Sequence, residues 1–269
     1  MLLIGPTGTG KTETMRAAQS YLDIPFIEVN SANLVPEGIK GASIEDYLFS
    51  LYAAAGYDME KASKGIIFFD EFDKLGISSE DYKSSVLQIL LKFLDGTDFL
   101  VDKQQVDAFN FNTSRLTQVY AGAFSELFDS KKSIGFISEE EHNFSPRNIT
   151  EADYFGKELV SRIPHILVYN ELSKEQQREV ITRSKLSQYL LKKQRYKRQF
   201  NVEMLADDTY FEALIAKLKD SDRSMRDLNN LITSTLDEAE CEMYDNIGKY
   251  KRLVLTRDTV ENPKDFKLF

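Results

Sequence analysis

Apolar runs recur along the first part of the chain at Leu2–Ile4, Ile24–Asn30, Gly65–Asp70, Leu116–Ala121 and Ile163–Tyr169. Between most of them lie stretches whose apolar residues fall three and four apart: Thr12–Leu22, Ile44–Ala55 and Tyr82–Leu94. In the last of these Val86, Ile89, Leu90 and Phe93 make one stripe, the pattern of a helix that turns one face to a core. Short continuous apolar runs suit strands buried on both faces. Their alternation with amphipathic helices is the rhythm of a parallel α/β sheet. Beyond Asn170 the pattern changes: Ser173–Arg195, Thr209–Leu218 and Met225–Asn246 are helix-periodic, and only Arg252–Leu255 reads as a strand. The sequence therefore predicts an α/β domain over residues 1–169, with a parallel sheet flanked by helices. A smaller, mainly α-helical domain is expected over residues 170–269.

Two of the predicted strands end in residues that carry chemistry. After Leu2–Ile4 comes Gly5-Pro6-Thr7-Gly8-Thr9-Gly10-Lys11-Thr12, a full match to G-x-x-x-x-G-K-[ST] between a strand and a helix-compatible stretch. A glycine-rich turn feeding a helix N-terminus aims backbone N–H groups at one spot, where the helix dipole also favours negative charge. Lys11 is expected on the β- and γ-phosphates of a nucleotide and the Thr12 hydroxyl on Mg²⁺. The second strand, Ile66-Ile67-Phe68-Phe69, runs into Asp70 and Glu71, which places two carboxylates at the C-terminal edge of the sheet, where open α/β sheets bind ligands. Asp70 is expected in the Mg²⁺ shell and Glu71 as the base that orients and deprotonates the attacking water.

Composition narrows the setting. The chain has 269 residues, 42% apolar content and a formal net charge of −9. That is enough for a sizeable core, and the acidic balance argues against a surface built for non-specific nucleic-acid binding. With Cys241 alone no internal disulfide forms, and with His142 and His165 alone a Cys/His metal site is not expected. No apolar run approaches membrane-spanning length and no signal peptide is evident, so a soluble, cytoplasmic protein is expected. The basic run Lys192-Lys193-Gln194-Arg195-Tyr196-Lys197-Arg198 reads as a solvated helix end.

Several collinear segments carry a family resemblance: the phosphate loop, GYDMEKASKGIIFFDEFDKL (Gly56–Leu75), QILLKFLDGT (Gln88–Thr97), TSRLTQVYAGAF (Thr113–Phe124), ELVSRIPHILVYNELSKE (Glu158–Glu175) and SDRSMRDLNNLI (Ser221–Ile232). Together they resemble the AAA+ ATPases of the Clp/HslU branch, most of all the ATPase core of the ClpX unfoldase subunits, over almost the whole chain. The resemblance implies an ATP-hydrolysing motor with Mg²⁺ as cofactor, assembled as a homo-hexamer and acting on protein substrates, with a Clp-type peptidase as a partner. It further implies that Arg162, in SRIP, is an arginine finger serving a neighbouring subunit. Arg223, in SDRSMR, would be the sensor-2 arginine, with Arg226 a weaker candidate for the same surface. Gly38-Ile39-Lys40-Gly41 would be the pore loop, and Ile134-Gly135-Phe136 the loop that docks on the peptidase.

The chain also departs from that family. Its pore loop keeps the glycines but replaces the aromatic by Ile39, a smaller grip. Ala121-Gly122-Ala123 lacks a polar sensor-1 side chain, and no residue is assigned to that role. The chain starts on the first strand, without the segment that helps enclose the adenine in relatives, which implies a fragment or a more open base pocket. Two other readings stay open beside the unfoldase: a nucleic-acid-associated loader or assembly ATPase of phage or mobile-element type, and a nucleotide-gated scaffold with little turnover.

Overall fold

The computed structural model describes residues 1–36, 41–75, 80–103, 106–124, 161–220 and 225–269. They divide into two compact units, one of Met1–Pro6 with Gly10–Asn170, the other of Thr7–Thr9 with Glu171–Phe269.

In the first unit the predicted strands form β1 (Leu2–Ile4), β2 (Phe26–Asn30) and β3 (Ile66–Asp70), then β6 (Thr117–Gly122) and β7 (Ile166–Val168). They make one five-stranded sheet in the order β2-β3-β6-β1-β7, and every neighbouring pair is parallel. One edge of the sheet therefore collects all five C-terminal ends, where Gly5, Asn30, Asp70 and Tyr169 lie. The opposite edge collects the starts. The predicted helices appear as α1 (Lys11–Leu22), α2 (Ile44–Ala54) and α4 (Glu80–Leu94), with a short α3 (Met59–Ala62) between.

The apolar run of β3 is buried on both faces because successive side chains point opposite ways. Ile67 and Phe69 join one core with Leu2, Ile4, Phe72, Phe93 and Tyr120. Ile66 and Phe68 join the other with Leu3, Met15, Val119 and Ala121. Phe69 stacks on Tyr120 with ring centroids 4.9 Å apart and meets Phe93 edge-on at 5.7 Å. Each such buried ring contributes about 1.5–3 kcal/mol, so the strand that carries Asp70 is among the most firmly seated parts of the sheet. Val86, Leu90 and Phe93 of the α4 stripe are buried as the period required.

The structure adds a hairpin that the apolar pattern did not suggest. β4 (Asp98–Val101) pairs antiparallel with β5 (Phe109–Asn112), Phe99 opposite Phe111. Each strand is short, with alternating burial, so neither makes the continuous apolar run that marked the buried strands.

In the second unit the stretch Ser173–Arg195, read as one helix, is two: α5 (Lys174–Arg183) and α6 (Gln188–Phe200). Ser184 and Ser187 turn the chain between them, Ser187 Oγ donating to the Ile181 carbonyl at 2.6 Å. Then follow β8 (Glu203–Ala206), α7 (Asp208–Asp220), α8 (Met225–Asp245), β9 (Arg252–Leu255), α9 (Arg257–Glu261) and β10 (Lys267–Leu268). β9 is thus not a lone strand: it lies between β10 and β8 in a three-stranded sheet, parallel to β8 and antiparallel to β10. The basic run of α6 is only partly solvated. Lys192 and Arg195 both pair with Glu240 of α8, whose carboxylate also accepts from the Tyr196 hydroxyl at 2.9 Å. No helix among the described residues is long and apolar enough to cross a membrane.

Candidate nucleotide site

The glycine-rich loop Gly5–Thr12 begins where β1 ends. Gly5 has φ +152°, and a Cβ there would lie 2.1 Å from the Tyr169 carbonyl oxygen at the end of β7, so no larger residue fits. Tyr169 also donates its N–H to the Ile4 carbonyl at 2.6 Å, which ties the loop entrance to the neighbouring strand. α1 starts at Lys11 behind a left-handed Gly10 that supplies no side-chain cap. The loop thus leads straight into the positive end of the helix dipole, where an anion is favoured. Lys11 is buried, and its ammonium donates to the carbonyls of Gly5 at 2.6 Å and Pro6 at 2.9 Å. The charge is held within the loop that the sequence motif describes.

The acidic end of β3 meets this loop across the sheet edge. Thr12 Oγ1 donates to Asp70 Oδ2 at 2.7 Å, bringing a hydroxyl and a carboxylate from positions 58 residues apart into direct contact. Asp70 Oδ1 accepts the Glu71 backbone N–H at 2.8 Å. Glu71 itself adopts φ 52°, ψ 39°, a left-handed backbone that costs a non-glycine residue on the order of 1 kcal/mol. Its carboxylate is shared between the Lys74 ammonium at 3.1 Å and the Asn30 side-chain amide at 3.5 Å.

Asn30 was not among the sequence candidates. It ends β2 in register with Asp70, and its side-chain Oδ1 caps the following turn by accepting the Ala32 N–H at 2.9 Å. A polar residue closing a predicted strand was visible in the sequence. Its place beside Glu71 follows only from the β2–β3 pairing.

Arg162 is not part of this cluster. It precedes β7, and β7 runs parallel to β1, so Arg162 sits at the edge of the sheet opposite the phosphate loop. Its guanidinium pairs with Asp95 just beyond α4 and reaches the Leu91 carbonyl at 3.4 Å. The two residues line a polar groove of about 280 Å³ together with Met1, Ser114 and Gln118. Gly41 closes the proposed pore-loop segment, whose stem is held by a bridge between Leu34 and Ala42. Gly38, Ile39 and Lys40 lie outside the described residues, as do Ile134, Gly135, Phe136 and Arg223.

Residues 1–130 match the family model described as the ATPase family associated with various cellular activities (AAA). The chain is also similar to two proteins named ATP-dependent Clp protease ATP-binding subunit ClpX. That of Treponema denticola is 28% identical, over 97% of this chain and 70% of its own length. The second relative, designated ClpX 2, of Wolinella succinogenes, is 29% identical, over 88% of this chain and 64% of its own. A glycine-rich loop closed on its lysine and a strand delivering paired carboxylates to that loop agree with these likenesses: the chain is similar to the AAA+ ATPases, ClpX among them, and the similarity supports ATP hydrolysis.

Proposed function

We propose that this ATPase is a protein-remodelling motor of the ClpX kind, working as a homo-hexameric ring in the cytoplasm. The single observation that carries the oligomeric reading is the place of Arg162. An arginine at the edge of the sheet opposite its own phosphate loop acts on a γ-phosphate only if that phosphate belongs to a neighbour. Within one subunit, residues 1–169 form the nucleotide-binding domain and residues 170–269 the smaller helical domain. Gly5–Thr12 cradle the ATP phosphates and Lys11 neutralises them. Thr12 and Asp70 juxtapose a hydroxyl and a carboxylate, the oxygen donors that a hard divalent cation takes, and they would hold Mg²⁺. When bound, Mg²⁺ supplies charge neutralisation on the β- and γ-phosphates. Glu71 accepts the proton of the attacking water. Release of its carboxylate from Lys74 and Asn30 frees it for that role. Arg223 reports the nucleotide to the helical domain. Gly38-Ile39-Lys40-Gly41 grip the polypeptide, and Ile134-Gly135-Phe136 dock on a Clp-type peptidase.

Arg162→Ala is expected to keep ATP binding and lose turnover. Mixing it with Glu71→Gln subunits is expected to restore part of the activity, because some neighbours then pair an intact Glu71 site with an intact Arg162. Hydrolysis measured on the mixture, with sedimentation in ATP to verify assembly, tests this. Full-rate hydrolysis by a monomer, or assembled variants that never complement, overturns the trans role.

The pore reading is tested by ATPase rates with unfolded protein and with single-stranded DNA. Ile39→Ala is expected to leave the basal rate intact and remove stimulation by unfolded protein. Ile39→Tyr is expected to strengthen the grip through its larger buried area. The replacement of the family's aromatic by Ile39 favours one other reading, the nucleic-acid-associated loader. Stimulation by single-stranded DNA, with neither Ile39 variant changing the response to protein, would put the loader in place of the unfoldase.

A further inference from the structure

We propose that Asp73 is a positioning residue that holds Glu71 in register with the phosphate loop; this rests on the reading of Glu71 as the base. The sheet poses a problem that Asp73 solves. β3, which leads into Glu71, and β1, which leads into the loop Gly5–Thr12, are not neighbours, because β6 lies between them. The β1–β6 ladder runs to the end, Ile4 opposite Gly122. The β3–β6 ladder stops earlier, at Phe69 opposite Tyr120, one residue before Asp70 and two before Glu71. Backbone pairing therefore does not tie the catalytic turn to β6.

Asp73 supplies the tie. It lies in the single 3₁₀ turn Phe72–Lys74 that follows Glu71, and its Oδ2 accepts the Phe124 backbone N–H at 3.3 Å, just beyond the end of β6. Its other carboxylate oxygen stands where a side chain at position 122 would go. A Cβ on Gly122 would lie 2.7 Å from Asp73 Oδ1, 3.0 Å from the Asp73 backbone nitrogen and 2.5 Å from Phe124 Cε2. The end of β6 thus has no room for a side chain at position 122, and the space is filled by a carboxylate from the turn after β3. Phe72 anchors the other side of the turn, fully buried against Tyr120 with ring centroids 4.7 Å apart. Glu71 is thus held in its left-handed conformation between a buried ring and the Asp73 tie. Through β6 and Ile4, that tie leads to Gly5.

Asp73 touches neither phosphate nor water in this scheme, so its loss acts on the rate constant of hydrolysis and spares binding. Asp73→Ala is expected to lower kcat about tenfold, the scale of a misplacement well under 1 Å, with KM for ATP changed less than about twofold. Asp73→Asn keeps an acceptor of the same shape for the Phe124 N–H and is expected to retain most of kcat. In the Glu71→Gln background Asp73→Ala is expected to add less than about a twofold loss, since both act through one group. Unchanged kcat in Asp73→Ala, a loss seen only in KM, or Asp73→Asn as slow as Asp73→Ala overturns the assignment. Should Asp73→Ala not fold, Gly122→Ala carries the test, because its methyl displaces the same carboxylate; unchanged kcat there overturns the assignment equally. A Glu71→Gln chain that hydrolyses ATP at the wild-type rate sinks the reading of Glu71 itself. A slow Glu71→Gln beside a wild-type Asp73→Ala removes only the role of Asp73.

Discussion

Glu71→Gln is expected to bind ATP and Mg²⁺ as the wild type does and to hydrolyse ATP at least ~100-fold more slowly, the scale for loss of a general base. The substitution keeps the volume of the side chain and its hydrogen bond from Asn30, and it leaves the backbone of the turn intact because that is held by Asp70 Oδ1 and by Phe72. It removes the ion pair with Lys74, which is solvent-exposed on the lysine side and worth under about 1 kcal/mol. Stability should therefore barely move while the chemistry fails. Single-turnover hydrolysis, run beside a nucleotide-binding titration, separates the two effects. Near wild-type turnover would show that another group takes the proton.

Lys11→Ala is expected to weaken ATP binding by about 100-fold or more, since charge-assisted hydrogen bonds to two phosphates are lost at about 1.5–3 kcal/mol each. The ammonium also bonds the Gly5 and Pro6 carbonyls, so its removal loosens the loop that aims the backbone N–H groups. The sheet core beneath is built from other residues, and the variant should still fold. Calorimetry is the direct measurement, and unchanged affinity for ATP would contradict the placement of Lys11 on the phosphates.

These two expectations could be written from sequence because the residues concerned sit in local patterns. The octapeptide Gly5–Thr12 is consecutive, and its strand and helix neighbours are short-range facts. Ile66–Phe69 announce a doubly buried strand by being four apolar residues in a row, and Asp70 and Glu71 follow directly. Other features escaped for identifiable reasons. The hairpin of β4 and β5 has strands of four residues with every second side chain exposed, too little apolar content to stand out beside the runs of the central sheet. β8 is likewise short, with a single fully buried residue, Met204. The break between α5 and α6 was hidden because both halves carry the same helical period, and only the serines between them mark the turn.

What the sequence determined by itself was local: a glycine-rich G-x-x-x-x-G-K-T turn after one strand, paired acids after another, an alternating α/β region and then a mainly helical one. Each of these depends on residues adjacent or a few positions apart, where backbone geometry and side-chain period are enough. The order β2-β3-β6-β1-β7 was decided only by the tertiary structure, because hydrophobic period reports how deeply a strand is buried and says nothing of its neighbours. That order set Asn30 beside Glu71, Asp73 at the end of β6, and Arg162 with Asp95 at the far edge. Such contacts join residues 41, 51 and 67 positions apart. They form because parallel strands gather their C-terminal ends at one edge, where Asn30, Glu71 and Asp73 lie, and their starts at the other, where Arg162 meets Asp95, whatever the distance along the chain.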